Sequence, residues 1–496
     1  MNYLELVRFC VPEIIVATTA LLVLAVDLFT LRELEYRTRL SIGTMLAGVG
    51  CLVAIAWMLA LPQSANLSEG MLVVSRLTQW VKVCLLVLTC FALLLSADTD
   101  FTEHVGEYLA LILLAAVGMM FLVSAEDILM IFVALELTSL SLYVLAAFNK
   151  SSRASAEAAL KYFLFGGVSS AFTLFGLSLL YGLSGATNLD RIAAALHAAP
   201  LDPLLALAIV MTLIGLGFKV AAAPFHLWAP DVYQGAPTPS AAFIASGSKL
   251  AGFFILARVT MAGFKGVEGG AGWDAAVPGW VPVVAAVAVI SMLLGNLAAL
   301  AQTSVRRLLA YSAIAHAGYI LIGVVAHAGT SLAAVVYYAV TYALATLGAF
   351  GVVAAVERQT GRERLTDFAG LSRHAPLLSL CMMVFMLSLA GIPPLAGFFG
   401  KFYLFSAALG AGPQNLGLLW LVILALVMSA VSLYYYLKVL KQIYVADAAA
   451  GQTLPKPASP LLQATVAALA LAVICLGCLP AWFVERLTDS IKLAGL

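Results

Sequence analysis

The sequence is poor in charge. Of its 496 residues only 26 are Lys or Arg and 25 Asp or Glu, 10% together, where a soluble domain carries roughly 25%. With 63% hydrophobic residues arranged in blocks, that scarcity excludes a soluble globular protein. Charge of one sign is lacking too. A net charge of +1, with no basic cluster away from the ends of apolar runs, leaves no footprint for nucleic acid. Grouped cysteines are also missing. The seven (Cys10, Cys51, Cys84, Cys90, Cys381, Cys475, Cys478) lie in or beside apolar segments. Cys475-Leu-Gly-Cys478 has neither a histidine nor a second pair nearby, so it reads as structural rather than metal-binding. No Walker loop, GxGxxG unit or haem motif is present, so the chain is expected neither to bind nucleotide nor to carry electrons by itself. The N-terminus, MNYLELVRFCVPEIIV, lacks a basic n-region and a small-residue cleavage site. Its run from Pro12 to Leu31 reads as a retained first membrane span.

What the sequence has in abundance is long apolar runs. They predict fourteen spans, from 12–31 to 460–484, which at about 20 residues each consume about 280 residues and leave no sizeable soluble domain. Runs of this length without a period of two exclude a β-barrel, so the expected fold is an all-α polytopic bundle. Loops after odd-numbered spans hold fourteen Lys and Arg, from Arg32 through Arg306 and Arg307 to Lys456, and the opposite loops hold six. The excess of positive charge puts the odd loops in the cytoplasm or its equivalent and both termini on the far side of the membrane.

Two spans are too long for a single straight crossing, and both contain proline. The seventh (204–234) reads GFKVAAAPFHLWAPDVYQGAPTP near its end, and the twelfth (375–410) contains SLAGIPPLAGFFGK. Proline removes a backbone donor and clashes with the preceding turn, so helices should break at Pro224 and at Pro393 with Pro394. Broken helices survive in lipid only where protein or water satisfies the freed carbonyls. Each broken span is the fourth of a block of five, and an offset of five reverses direction. The pattern is that of an inverted repeat, 106–263 against 280–445, preceded by 1–105 and followed by a C-terminal helix in 460–496. Residue identity between the halves is low, so the repeat rests on topology.

Six basic residues fall inside spans: Lys82, Lys161, Lys219, Lys249, Arg258 and Lys401. A charge at a helix centre costs about 2.5–3.5 kcal/mol, which makes it a functional candidate. Lys249 lies about ten residues into the eighth span, roughly 15 Å deep, and Glu136 is equally central in the fifth. Lys161 is expected to turn inward and pair with Glu136, while Lys219 and Lys401 flank the two breaks. Lys82 and Arg258 read as residues reaching the interface, and Glu13 and Asp27 as packing or interface residues. His226, within the first break, and His316, mid-span beside Tyr311, Ser312 and Tyr319, are candidates for proton relay. Buried lysines suit such a relay because loss of water makes the ammonium readier to give up its proton.

At these motifs, above all PFHLWAPDVYQGAPTP (224–239), the chain resembles the proton-translocating, antiporter-like membrane subunits of respiratory complex I and the related multisubunit cation/proton antiporters. The opening VPEIIVATTALLVLAVDLF (11–29), Lys401 in place of a glutamate, and the end at Leu496 without a lateral helical extension look most like the N-subunit branch. The resemblance implies a pumping role for Glu136, Lys161, Lys219, Lys249, Lys401 and His226, driven by electron transfer from NADH to quinone in partner subunits that hold FMN and iron–sulfur clusters. It implies neighbouring antiporter-like subunits and membrane lipid as partners. The eleventh span has no buried lysine to answer Lys161, which leaves the second half dependent on His316, tyrosines and water. The alternatives are an antiporter subunit without redox partners and a purely structural scaffold.

Overall fold

The computed structural model describes residues 7–60, 65–67, 70–197, 201–273, 276–410, 417–447 and 458–494. Lys456, counted above with the basic loops, lies outside them. The chain is all-α and polytopic. Its helices are α1 (Val11–Phe29), α2 (Tyr36–Ala60), α3 (Arg76–Ser96), α4 (Val105–Ser124), α5 (Ile128–Ala146), α6 (Arg153–Ser184), α7 (Pro203–Lys219), α8 (Trp228–Gly235), α9 (Thr238–Arg258), α10 (Trp280–Leu300), α11 (Val305–Ala326), α12 (Ser331–Thr360), α13 (Pro376–Ala390), α14 (Ala396–Gly410), α15 (Leu419–Tyr444), α16 (Pro460–Cys478) and α17 (Pro480–Leu493). Among the described residues twelve helices are long and apolar enough to cross a membrane, and α7 and α13 are shorter apolar helices. Two small hairpins, Ala65–Leu67 with Leu72–Val74 and Gly270–Ala271 with Ala276–Val277, sit in connections. The short helix Leu189–His197 lies in the connection before α7 and buries Leu189, Ile192, Ala193 and Leu196 at helical spacing.

Burial sorts the helices. In α9, α11 and α12, 94% of the span is buried, whereas α6 is 33% buried and carries exposed Leu160, Phe163, Leu164 and Phe165 on its outer face. Small residues let the central helices approach closely. A methyl on Gly295 of α10 would lie 2.4 Å from the Ala315 nitrogen of α11, the close backbone approach that glycine permits between helices in lipid.

The two breaks fall where the prolines place them. After α7 the chain passes through Ala221 at φ 51° and a cis Ala223–Pro224 bond before α8 begins. After α13, Gly391 takes φ 87° and Pro393–Pro394 is cis. Side chains satisfy the interrupted backbone: Ala223 N donates to Ser291 Oγ at 2.8 Å, Trp228 Nε1 to the Phe218 carbonyl at 3.1 Å, and Gly397 N to Ser388 Oγ at 3.1 Å. The last run differs from the single helix expected over 460–484. It ends at Cys478, and Pro480 starts α17, because proline cannot continue the ladder but suits a first turn.

Candidate functional site

The breaks position two lysines in the same way. A helix C-terminus carries unpaired carbonyls and a partial negative charge. Lys249 of α9, 1% exposed, donates through Nζ to the Val220 carbonyl at the end of α7 and lies 5.9 Å from the Trp228 ring. Lys401 of α14, 5% exposed, donates to the Leu389 and Ala390 carbonyls at the end of α13 (3.2 and 3.0 Å) and to Ser429 Oγ at 2.7 Å. Its ammonium stands 5.0 Å over the Tyr319 ring. Lys219, last residue of α7, donates to Ser139 Oγ of α5 and lies near the Tyr143 and Phe218 rings at 5.9 and 5.5 Å.

Beside Lys401 runs a hydroxyl and imidazole chain. His316 of α11 bonds through Nδ1 to Tyr338 OH at 2.7 Å and through Nε2 to Tyr436 OH at 2.9 Å, and Tyr436 OH meets Ser312 Oγ at 2.5 Å. Tyr435 OH donates to Asn296 Oδ1 at 3.0 Å, and Asn296 Nδ2 donates to Tyr319 OH at 3.1 Å, which leads back to the ring beneath Lys401. Of the three companions the sequence suggested for His316, Ser312 joins this chain and Tyr319 packs edge-on to the imidazole at 5.7 Å. Tyr338, Tyr435 and Tyr436 had no local signal, since they come from α12 and α15. His226 is buried in the first break, and its Nδ1 has no hydrogen-bond partner among the described residues.

The expected Lys161–Glu136 pair is not formed. Lys161, its side chain 38% exposed, instead binds Glu157 and Asp231 of α8, both at 2.7 Å. The break in α7 swings Asp231 toward the end of α6, where the flexible lysine stem reaches it more readily than the deeper Glu136. Glu136 accepts from Ser170 Oγ at 2.5 Å and lies within Coulombic reach of Lys219. Asp231 also pairs with Arg307 at 2.8 Å. Arg306, counted above with the loops, is 3% exposed: it donates to the Tyr233 and Ala236 carbonyls at the end of α8 and to Glu357 at 3.1 Å. Glu157, Asp231, Arg306, Arg307 and Glu357 line a polar cavity of about 710 Å³ on the side of the basic loops, together with Gln234 and Glu363.

Three more internal ion pairs show that Lys82 and Arg258 do not reach the interface and that Glu13 and Asp27 pack inside the bundle. Lys82 meets Glu13 at 2.5 Å with both side chains under 5% exposed, Arg258 meets Glu126, and Arg39 binds Asp27 through two bonds of 2.9 and 2.7 Å. Depth along its own helix makes Lys82 look able to reach water, but α1 covers it with a carboxylate. Removing one partner of a buried pair strands the other charge at a cost of about 3–5 kcal/mol. Glu13→Ala is therefore expected to lower the thermal midpoint of the purified chain sharply, and the Glu13→Ala/Lys82→Met double variant to recover most of the loss.

The family described as NADH:quinone oxidoreductase/Mrp antiporter, transmembrane, matches residues 125–431. NADH-quinone oxidoreductase subunit N 2 of Acidobacterium capsulatum is 54% identical over 489 residues, 97% of this chain and 98% of that protein. A chain of respiratory complex I from Thermus thermophilus superposes with a TM-score of 0.78 at 35% identity, covering 96% of this chain and 99% of that one. A chain of the membrane-bound sulfane sulfur reductase, an archaeal respiratory complex, gives a TM-score of 0.83 at 25% identity, covering 98% and 97%. The chain belongs to the antiporter-like membrane subunits of NADH:quinone oxidoreductase and Mrp complexes, in the subunit N branch.

Proposed function

We propose that the chain is a membrane subunit of a proton-pumping NADH:quinone oxidoreductase, and that protons cross it along Lys219, Lys249, His316 and Lys401. Glu136 sets the charge near Lys219, and His226 serves the first break. Lys161 acts with Asp231 and Arg307 at the polar cavity, which takes up protons from the side of the basic loops. The single observation that carries this reading is the pair of ammonium groups, Lys249 and Lys401, held on carbonyls freed by two broken helices. A lysine so placed has lost water but not all stabilisation, so a neighbouring charge can tip it between loaded and unloaded states. The inverted repeat of 106–263 and 280–445 supplies the two breaks with opposite polarity, and both termini face the periplasm of a bacterial inner membrane.

The residues of this chain do not fit a flavin or an iron–sulfur cluster, because no glycine-rich nucleotide loop and no grouped cysteines exist to hold them. FMN, clusters and the quinone site therefore belong to partner subunits, with antiporter-like subunits beside this one. The second reading, an antiporter subunit without redox partners, is kept open by the double description of the family. Purifying the native membrane complex separates them. Co-purified flavin and iron–sulfur absorbance is the expected result, and sodium-driven proton exchange without either chromophore would favour the antiporter.

A further inference from the structure

We propose that the groove between α3 and α17 is a headgroup site for a zwitterionic phospholipid of the phosphoethanolamine class. The groove has a volume of about 640 Å³ and lies where α3 begins, at the end of the bundle away from the basic loops. Its polar lining holds charges of both signs, Arg76 and Arg486 against Glu485 and Asp489. Other clustered opposite charges in the bundle lie within ion-pair distance of each other, as with Lys82 and Glu13. Here, among the described residues, none of the four forms an ion pair although all face one cavity. The guanidinium of Arg486 rests instead on two indoles, 4.9 Å from Trp482 and 5.9 Å from Trp80, which leaves its N–H edge available.

The surroundings are those of a bilayer interface. α17 buries Phe483, Leu487 and Ile491 against the bundle and leaves Leu479, Trp482 and Leu493 more than half exposed. Tryptophan beside arginine on an amphipathic helix settles at headgroup depth, with apolar neighbours directed to acyl chains. A phosphate matches the two arginines, which recognise its oxygens bidentately. A purely anionic lipid would set that phosphate beside two carboxylates with nothing to offset them. A primary ammonium a few bonds from the phosphate offsets both, so the lining selects phosphatidylethanolamine over phosphatidylglycerol.

The test uses the full chain in nanodiscs of equal phosphatidylethanolamine and phosphatidylglycerol, with retained lipid read by native mass spectrometry. The wild type is expected to retain phosphatidylethanolamine about fivefold over phosphatidylglycerol, the factor one interfacial charge contact supplies. Arg76→Gln with Arg486→Gln should abolish retention of both lipids. Glu485→Gln with Asp489→Asn should keep retention but erase the preference. Equal retention of the two lipids by the wild type, or a preference that survives both double variants, would overturn the proposal. The wild-type preference is informative even if a variant fails to fold.

Discussion

Replacing Lys249 by alanine is expected to slow proton transfer through this subunit by about a hundredfold, the size of effect a positioned proton-transfer group contributes, and so to remove this subunit's share of the protons pumped per NADH oxidised, while the complex still assembles. The reason lies in how the ammonium is held. Among the described residues its one hydrogen-bond acceptor is the Val220 carbonyl, left free because α7 stops at Lys219, and the Trp228 ring lies 5.9 Å from it. Such a group is stabilised enough to be protonated and weakly enough to let go. Lys249→Arg separates charge from proton transfer. Arginine supplies the same charge and can reach the same carbonyl, but it does not deprotonate in a protein. The arginine variant is therefore expected to be as inactive as the alanine variant, with assembly checked by co-purification of the other subunits. Pumping by the arginine variant would mean that only the fixed charge matters.

The second large effect is expected at His316. Phenylalanine keeps most of the ring volume but removes both contacts to Tyr338 and Tyr436, leaving two buried hydroxyls without that partner. Tyr436 OH keeps Ser312, so the unpaired Tyr338 hydroxyl should cost about 1–3 kcal/mol of stability, visible as a lower thermal midpoint. Proton transfer through this subunit should fall by about a hundredfold, because the imidazole is the member of the Ser312–Tyr436–His316–Tyr338 chain whose two ring nitrogens can accept a proton on one side and release one on the other. The Tyr436→Phe variant provides a milder comparison. It keeps the imidazole and its bond to Tyr338, so it should retain more pumping than His316→Phe. Equal pumping in the wild type and the His316→Phe variant would remove His316 from the path.

The elements most legible in the sequence were those governed by local chemistry. Proline at 224, 393 and 394 announced both breaks, and the apolar runs announced the crossings, because each depends only on residues within a turn or two. Lys249 stood out for a similar reason, since depth along a helix can be counted, and Lys401 because it follows the second break within the same run. What could not be read was which side chain meets which across helices. Lys161 was assigned to Glu136 on the logic that a central carboxylate needs a cation. Asp231, displaced by the break in α7, competes successfully for it, and Ser170 with a nearby Lys219 serves Glu136 instead. Lys82 and Arg258 looked able to reach water along their own helices, but Glu13 and Glu126 come from elsewhere in the chain and hold them inside. The tyrosines around His316 were invisible for the same reason, being on α12 and α15 while the histidine is on α11. Arg306 shows the converse error: one residue into α11 it looked like loop dressing, yet carbonyls at the end of α8 draw it in. Partner choice in this bundle is set by long-range packing, and the helix breaks move the partners.

The central claim is that protons cross this chain along its buried lysines. The most direct measurement is the number of protons moved per NADH oxidised in proteoliposomes holding the whole complex, wild type against Lys249→Arg combined with Lys401→Arg. Both substitutions keep the charge beside the two helix breaks and remove the ability to release a proton. A ratio reduced by this subunit's share, in a complex that still contains all its subunits, is the predicted result. An unchanged ratio would contradict the account.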